Sequence, residues 1–202
     1  RTSIWFIPML NPDGVTLVQQ GPSSLSSELG ANAIKINGGS RNFSSWKANV
    51  RGVDLNRQFP ALWSTITGNP GKPSVSHYKG TKPLSEPEAI AAYNFVKSKN
   101  FKTLVDYHSS GEVLYARNPG QLERLVSTQT GYRIIDITKG TSGGGLATWF
   151  TIQYGKPGMT PEISPYVGQR PVPVANWDKI WKQNHSVGLI VAEEAYRNRN
   201  TR

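Results

Sequence analysis

The chain contains no cysteine and only three histidines, His77, His108 and His185. The first absence excludes disulfides and thiolate-bound zinc, and it leaves the redox compartment open. The second limits metal chemistry. A catalytic zinc takes three protein ligands and keeps a fourth position for water or substrate, yet His77-Tyr78-Lys79-Gly80 and His185-Ser186-Val187-Gly188 begin neither an H-x-x-E nor an H-x-x-H pair. Acidic residues are also few, 13 against 23 Lys and Arg, for a net charge of +10. That balance either favours acidic partners, such as nucleic acid, anionic lipid or an anionic wall polymer, or serves solubility alone. Nucleic acid is not expected as a partner, because the basic residues are scattered and no zinc-finger, homeodomain-like or aromatic ribonucleoprotein pattern occurs. No apolar run approaches the ~18 residues of a spanning helix, so no membrane span is expected. The chain also lacks an initiator Met and a charged-then-apolar leader, and it enters at once the apolar run Ser3-Ile4-Trp5-Phe6-Ile7-Pro8. We read that start as a cut rather than a natural terminus.

What is present argues for a folded chain. Its 202 residues suit one domain, and 37% apolar content with six Trp, eight Tyr and six Phe is unlike a disordered segment. Ser3–Pro8 reads as an interior strand closed by the turn word Asn11-Pro12-Asp13-Gly14. The Ser-, Gly- and Asn-rich stretch from Gln19 to Asn49 reads as a long surface loop, and Leu62 to Pro83 as a second. Ser85 and Glu88 form a capping box that predicts a helix from about Glu86 to Lys99, with Ile90, Tyr93, Phe95 and Val96 inward. A buried strand at Thr103–His108 follows, then a strand near Glu112–Tyr115, a helix from Gln121 to Gln129 stopped by Gly131, and a strand at Tyr132–Ile137. Ser142-Gly143-Gly144-Gly145 opens a helix with Leu146, Trp149 and Phe150 on one face. A strand at Met159–Ile163 precedes a long final helix from about Val174 to Tyr196, whose stripe of Trp177, Trp181, Gly188 and Ala192 reads as core. This alternation is the α/β rhythm.

Four positions bear chemistry. His108 ends a strand, at the carboxyl edge where α/β proteins gather ligands; it serves either as a metal ligand or as a hydrogen-bonded structural imidazole. Glu162 lies in the apolar word Met159-Thr160-Pro161-Glu162-Ile163, where a carboxylate must be paired, metal-adjacent or protonated. It is either a structural ion-pair partner or a general base. Arg57 offers a planar fork for a carboxylate or is a solvated loop arginine. Asp54 either orients a metal-bound imidazole from behind or shapes a turn. The glycines Gly143 to Gly145 make a poor phosphate cradle, since neither G-x-G-x-x-G nor a Walker lysine accompanies them.

Asn11-Pro12-Asp13-Gly14, Trp46-Lys47-Ala48-Asn49 running into Arg51-Gly52-Val53-Asp54-Leu55-Asn56-Arg57, Tyr78-Lys79-Gly80 with Pro83-Leu84-Ser85-Glu86-Pro87-Glu88, Asp106-Tyr107-His108-Ser109, Ser142-Gly143-Gly144-Gly145 and Thr160-Pro161-Glu162 occur here in one order. Together they resemble the zinc metallocarboxypeptidase family. The likeness is closest to its bacterial branch of γ-D-glutamyl-meso-diaminopimelate peptidases, which cut cell-wall peptides. The resemblance implies an α/β fold with a mixed, largely parallel sheet flanked by helices, residues 1–202 forming the C-terminal part of a single zinc-peptidase catalytic domain. It implies that His108 is a zinc ligand, that Glu162 is the general base and that Asn56 and Arg57 grip the substrate's terminal carboxylate. It also implies that Lys47 stands where the family has the arginine that polarises the scissile carbonyl, with Arg51 as its rival, and that Asp54 backs a zinc-binding imidazole.

Two departures shape the expectation. The family's H-x-x-E word would precede Asn11, so two further Zn2+ ligands are expected from a segment upstream, and this chain alone is expected to be inactive. Lys139, three residues before Ser142, occupies the place of a mobile Tyr, which favours the wall-peptide branch over a simple carboxypeptidase. The expected partners are a peptide or peptidoglycan stem-peptide substrate and the chain's own N-terminal segment, cleaved yet associated. His108, Glu162 and Arg57 are expected to line one cleft. The expected location is secreted or wall-associated, with the cytoplasm as the alternative. An ordinary metallocarboxypeptidase and a non-catalytic wall-peptide binding module are the rival readings.

Overall fold

A computed structural model describes residues 2–140, 143–168 and 170–201. They form two compact units, one of Ile7–Lys99 with the segment ending at Leu146, the other of residues up to Phe6, Asn100–Gly140 and the chain from Ala147 onward.

The first unit is mostly loops pinned by three helices. Helix α1, Pro12–Gln20, starts where a turn is expected from Asn11-Pro12-Asp13-Gly14. Asn11 is its N-cap, accepting from the Gly14 N–H at 3.1 Å, and Pro12 opens the helix where a missing N–H costs nothing. Helix α2, Ser27–Ile36, interrupts the stretch expected to be loop; Ser26 caps it through Leu29 N. Both helices exist because Leu17, Ala33, Phe43, Trp46 and Ala48 bury together in a core that local composition does not reveal. Helix α3, Pro87–Lys97, has Glu86 rather than Ser85 as its cap residue, because the Ser85 hydroxyl is spent on Gln58 and Glu86. Ala89, Ala92 and Val96 face inward, while Ile90 is exposed.

The second unit holds a five-stranded α/β sheet. Its elements are β1 (Leu104–Val105), β2 (His108–Ser109), β3 (Val113–Ala116), α4 (Gln121–Thr130), β4 (Arg133–Asp136), α5 (Leu146–Tyr154), β5 (Gly158–Ile163), α6 (Trp177–Asn184) and α7 (Val187–Arg197). The strand order is β1-β5-β3-β4, with β2 also on β5. The pairs β1/β5, β2/β5 and β3/β4 are parallel and β3/β5 is antiparallel, so the sheet is mixed and largely parallel. Helix α4 ends at Gly131 in the left-handed region, φ 75°. Trp149 and Phe150 of α5 are buried as expected, and Ser142 lies outside the described residues. Leu114, Ala116, Leu122, Val126, Tyr132, Met159 and Val187 form the core.

Three further expectations are corrected. Ser3–Pro8 forms no strand among the described residues, and Ile4, Trp5, Phe6 and Ile7 are exposed, because an apolar run becomes a strand only where a neighbour supplies the ladder. The single strand expected over Thr103–His108 is two short ones. Leu104 N and Asp106 N donate to Pro157 O and Met159 O; in this register the next ladder donor would be residue 161, and Pro161 has no N–H. The final helix breaks at His185 and Ser186, and Trp177 and Trp181 stand exposed instead of in the core, since Ile180 and Val187 take the buried face. Of the same stripe, Gly188 and Ala192 are only partly buried.

The glycine run has a packing role in the first unit. Gly144 (φ 80°) donates to Ala61 O at 2.8 Å and accepts from Phe59 N at 3.0 Å, and a Cβ there would sit 2.6 Å from Arg57 Cα. Gly144→Ala therefore combines a disfavoured φ with a backbone clash. It should cost on the order of 3 kcal/mol, lowering Tm by roughly 10 °C in a thermal melt; an unchanged melt would show that the two backbones do not meet.

Candidate functional site

In the sheet unit, His108 and Glu162 are in-register partners on the parallel strands β2 and β5. Directly paired residues project from the same face, so two residues 54 positions apart become neighbours on one surface of the sheet. His108 Nε2 lies 3.3 Å from Asp106 Oδ2, both side chains being mostly buried. A carboxylate on one ring nitrogen sets the orientation and tautomer of the imidazole. Sequence reasoning gave Asp106 no role, although its two-residue spacing from His108 on a strand was a usable signal. A cis peptide joins Ser109 and Ser110 just beyond. Glu112 N then donates to Glu162 O at 2.8 Å and Gly111 N to Ser164 O at 2.9 Å, holding the end of β5.

Glu112 also joins this region to α6. Its Oε1 accepts from Lys179 Nζ at 2.6 Å and from Gln183 Nε2 at 3.0 Å. Tyr132 donates to Gln183 Oε1 and accepts from Asn184 Nδ2. The hydrogen bond from Lys179, then that from Gln183, holds the Glu112 carboxyl below its ordinary value.

In the loop-rich unit, Asp54, Asn56 and Arg57 share one turn. Asp54, 5% exposed, caps the short 3-10 helix Leu55–Arg57: its Oδ1 accepts from Asn56 N at 3.1 Å and its Oδ2 from His77 N at 2.9 Å. Each oxygen keeps a second lone pair. Arg57 Nη1 donates to Asn56 O at 3.3 Å. Behind the turn, Gln58 is fully buried; its Oε1 accepts from Ser85 N and Glu86 N and its Nε2 donates to Lys79 O at 2.7 Å. Asn49 bridges the chain similarly, accepting from Arg51 N and Val53 N and donating to Glu86 Oε2 at 2.8 Å. These two amides, missed by sequence reasoning, shape the Asn56-Arg57 turn. Trp46 is buried, anchored by Nε1 to Ala48 O, and leaves Lys47 exposed beside it. Arg51, the rival to Lys47, lies 3.6 Å from buried Glu86 through its Nε.

Among the described residues no group of three His, Cys, Asp or Glu side chains is placed to hold a metal. The donor set of His108 thus falls short of a zinc site.

A profile described as zinc carboxypeptidase matches residues 1–139. The chain belongs to the zinc carboxypeptidase family. Within this family it is 36% identical over 200 residues, 95% of its length, to γ-D-glutamyl-L-diamino acid endopeptidase 1 of Lysinibacillus sphaericus, covering 49% of that protein. The chain thus spans about half the length of the curated relatives it matches. Among solved folds it resembles carboxypeptidase A from Helicoverpa armigera, with a TM-score of 0.62 and 18% identity over 95% of this chain and 51% of that one. It also resembles a murein-tripeptide amidase from Escherichia coli O157, with a TM-score of 0.51 and 20% identity over 77% of this chain and 62% of that one. Both likenesses concern the fold alone.

The Glu112 network generates a pH expectation. A carboxyl whose folded pKa is depressed contributes stability above its unfolded pKa, and that contribution disappears as pH falls through the folded value. Melts of the native chain should therefore lose stability below about pH 4.5, more steeply than melts of Glu112→Gln. Parallel curves for the two proteins would show that Glu112 does not couple α6 to the sheet.

Proposed function

We propose that this member of the zinc carboxypeptidase family hydrolyses amide bonds in bacterial wall peptides, at the γ-D-glutamyl-diaminopimelate bond. The observation that carries the chemistry is the pairing of His108 with Glu162 on adjacent strands; the name of the Lysinibacillus relative supports the substrate class. In this reading Glu162 takes a proton from the attacking water and returns it to the leaving amine. Asn56 and Arg57 grip a substrate carboxylate, and Lys47 polarises the scissile carbonyl. Their backbone supports favour such roles: the Asn56-Arg57 turn is hydrogen-bonded to Asp54 and packs against the Gly144 backbone, and buried Trp46 presents Lys47 outward.

For the metal, we propose His108 as one Zn2+ ligand, Asp106 as the carboxylate that positions it, and Asp54 as the acid behind a second imidazole. The chain would then form the C-terminal part of one catalytic domain, with two ligands from an upstream segment that is a covalent or associated partner. A peptidase of wall peptides would act after secretion or in association with the wall.

Two measurements test this reading. Arg57→Lys removes the bidentate fork, so the full-length enzyme should lose about 2 kcal/mol in kcat/KM on substrates with a free carboxylate and almost nothing on amidated ones; equal losses would assign Arg57 to folding. Zinc content and wall-peptide cleavage should be high for the full-length protein and low for the 202-residue chain. Robust zinc-dependent cleavage by the purified chain alone would refute the division of ligands.

A further inference from the structure

Glu162 belongs to a row of residues set side by side across the sheet. Strand pairing places His108 of β2 beside Glu162 of β5, Glu162 beside Val113 of β3, and Val113 beside Arg133 of β4. Directly paired residues project from one face, so the order across this face is imidazole, carboxylate, isopropyl group, guanidinium. The alternate residues Leu114, Ala116 and Met159 point the other way, into the core with Leu122 and Val126 of α4 and Val187 of α7. Helix α5 covers the row's own face at the start of β5: Thr151 Oγ1 donates to Gly158 O at 3.5 Å, and a Cβ on Gly158 would sit 2.6 Å from Ala147 O. Toward the end of the strand, Glu162 and Val113 are half-buried and Arg133 is exposed.

Nothing in the proposed chemistry uses Arg133. Arg117, on the chain just after β3, is spent inside the fold, donating to Ile137 O at 2.9 Å and to Thr138 O at 2.6 Å. Among the described residues no carboxylate pairs with Arg133, and its fork is open to a ligand. Neighbouring strands lie about 4.8 Å apart, which puts Arg133 Cα roughly 10 Å from Glu162 Cα with Val113 between them. The next row along the same face, Thr160, Tyr115 and Ile135, holds no charged group. Arg133 is thus a cation level with Glu162, on the side away from His108.

We propose that Arg133 binds the far carboxylate of the diamino acid on the leaving side of the scissile bond, which makes diaminopimelate rather than lysine the preferred residue there. This rests on the wall-peptide reading above. In that reading Glu162 returns a proton to the leaving amine, so the reacting nitrogen of the diamino acid lies against Glu162. From that nitrogen diaminopimelate continues as a short methylene chain and ends in an amine and a carboxylate. The row continues as apolar Val113 and then Arg133. Lysine has the same chain and the same distal amine but lacks the carboxylate. A guanidinium meets a carboxylate through two parallel hydrogen bonds, and an apolar floor beside the pair strengthens the attraction by thinning the water around it. A charge on an edge strand also discourages pairing with another chain; that role needs a charge at this position but no particular substrate.

The test compares kcat/KM of the full-length protein on one stem tripeptide ending in meso-diaminopimelate and on the same peptide ending in lysine. The native protein should favour the diaminopimelate form about tenfold, the low end for a charged hydrogen bond. Arg133→Gln should bring the ratio near parity, and Arg133→Lys, which keeps the charge and loses the fork, should leave an intermediate ratio. Because Arg133 is exposed, both variants should melt with the native protein. Equal use of the two peptides by the native protein, or a ratio that Arg133→Gln leaves unchanged, would overturn the assignment and leave the peptidase reading standing. So would a loss seen only when the glutamyl α-carboxylate is free rather than amidated, since Arg133 would then read that group. Cleavage of neither peptide would sink the peptidase reading. Calorimetric titration of the same two peptides then decides the assignment: tighter binding of the diaminopimelate form that Arg133→Gln abolishes upholds it, and equal affinities overturn it.

Discussion

The chemistry of the sheet unit depends on the pairing of β5. This strand takes β1 and β2 along one edge and β3 along the other, so its register decides what stands beside Glu162. Side chains alternate along a strand, and a slip of one residue would turn Glu162 away from the face that His108 occupies. The two-residue pairing with β2 is too short to set the register by itself. Buried Met159 and Leu114, on the paired strands β5 and β3, belong to one core and resist the slip, since a shift would drive Met159 out of it. Pro161 adds a constraint of its own: by withholding one ladder donor it separates β1 from β2, and the intervening Asp106-Tyr107 step delivers a carboxylate to the His108 ring.

The loop-rich unit solves a different problem, that of holding a polar turn rigid without strands. Gln58, Asn49 and Glu86 are almost wholly buried, and a buried polar group is costly unless its bonds are made. Here each amide oxygen takes two backbone N–H groups and each amide nitrogen meets an oxygen. Removing any member leaves several donors without partners, so the network behaves as a unit. Arg57 inherits its position from that network on one side and from Gly144 on the other.

Where the chain carries its own punctuation, local signals were enough. Gly131 in the left-handed region stops α4, the apolar face of Leu146, Trp149 and Phe150 marks α5, and Met159–Ile163 is recovered within β5. The words around His108, Glu162, Asn56 and Arg57 were also legible, and they identified the family. The helices α1 and α2 were not, because their sequences are short and polar and are held by Leu17 and Ala33 meeting Phe43 and Trp46 across the fold. Asp54 was legible as a turn residue, but the donors to its two oxygens, Asn56 N and His77 N, were not.

The sequence by itself determined the inventory: which groups can act as acid, base, ligand or carboxylate clamp, and where glycine and proline forbid or permit a conformation. Only the tertiary structure decided partners. Apolar content does not say what buries it, so Ile4–Ile7 and Trp177 with Trp181, equally apolar on paper, stand exposed while Leu17 and Met159 do not. Strand register is likewise non-local, and the pairing of His108 with Glu162 arises from hydrogen bonds between segments that have no short-range influence on each other.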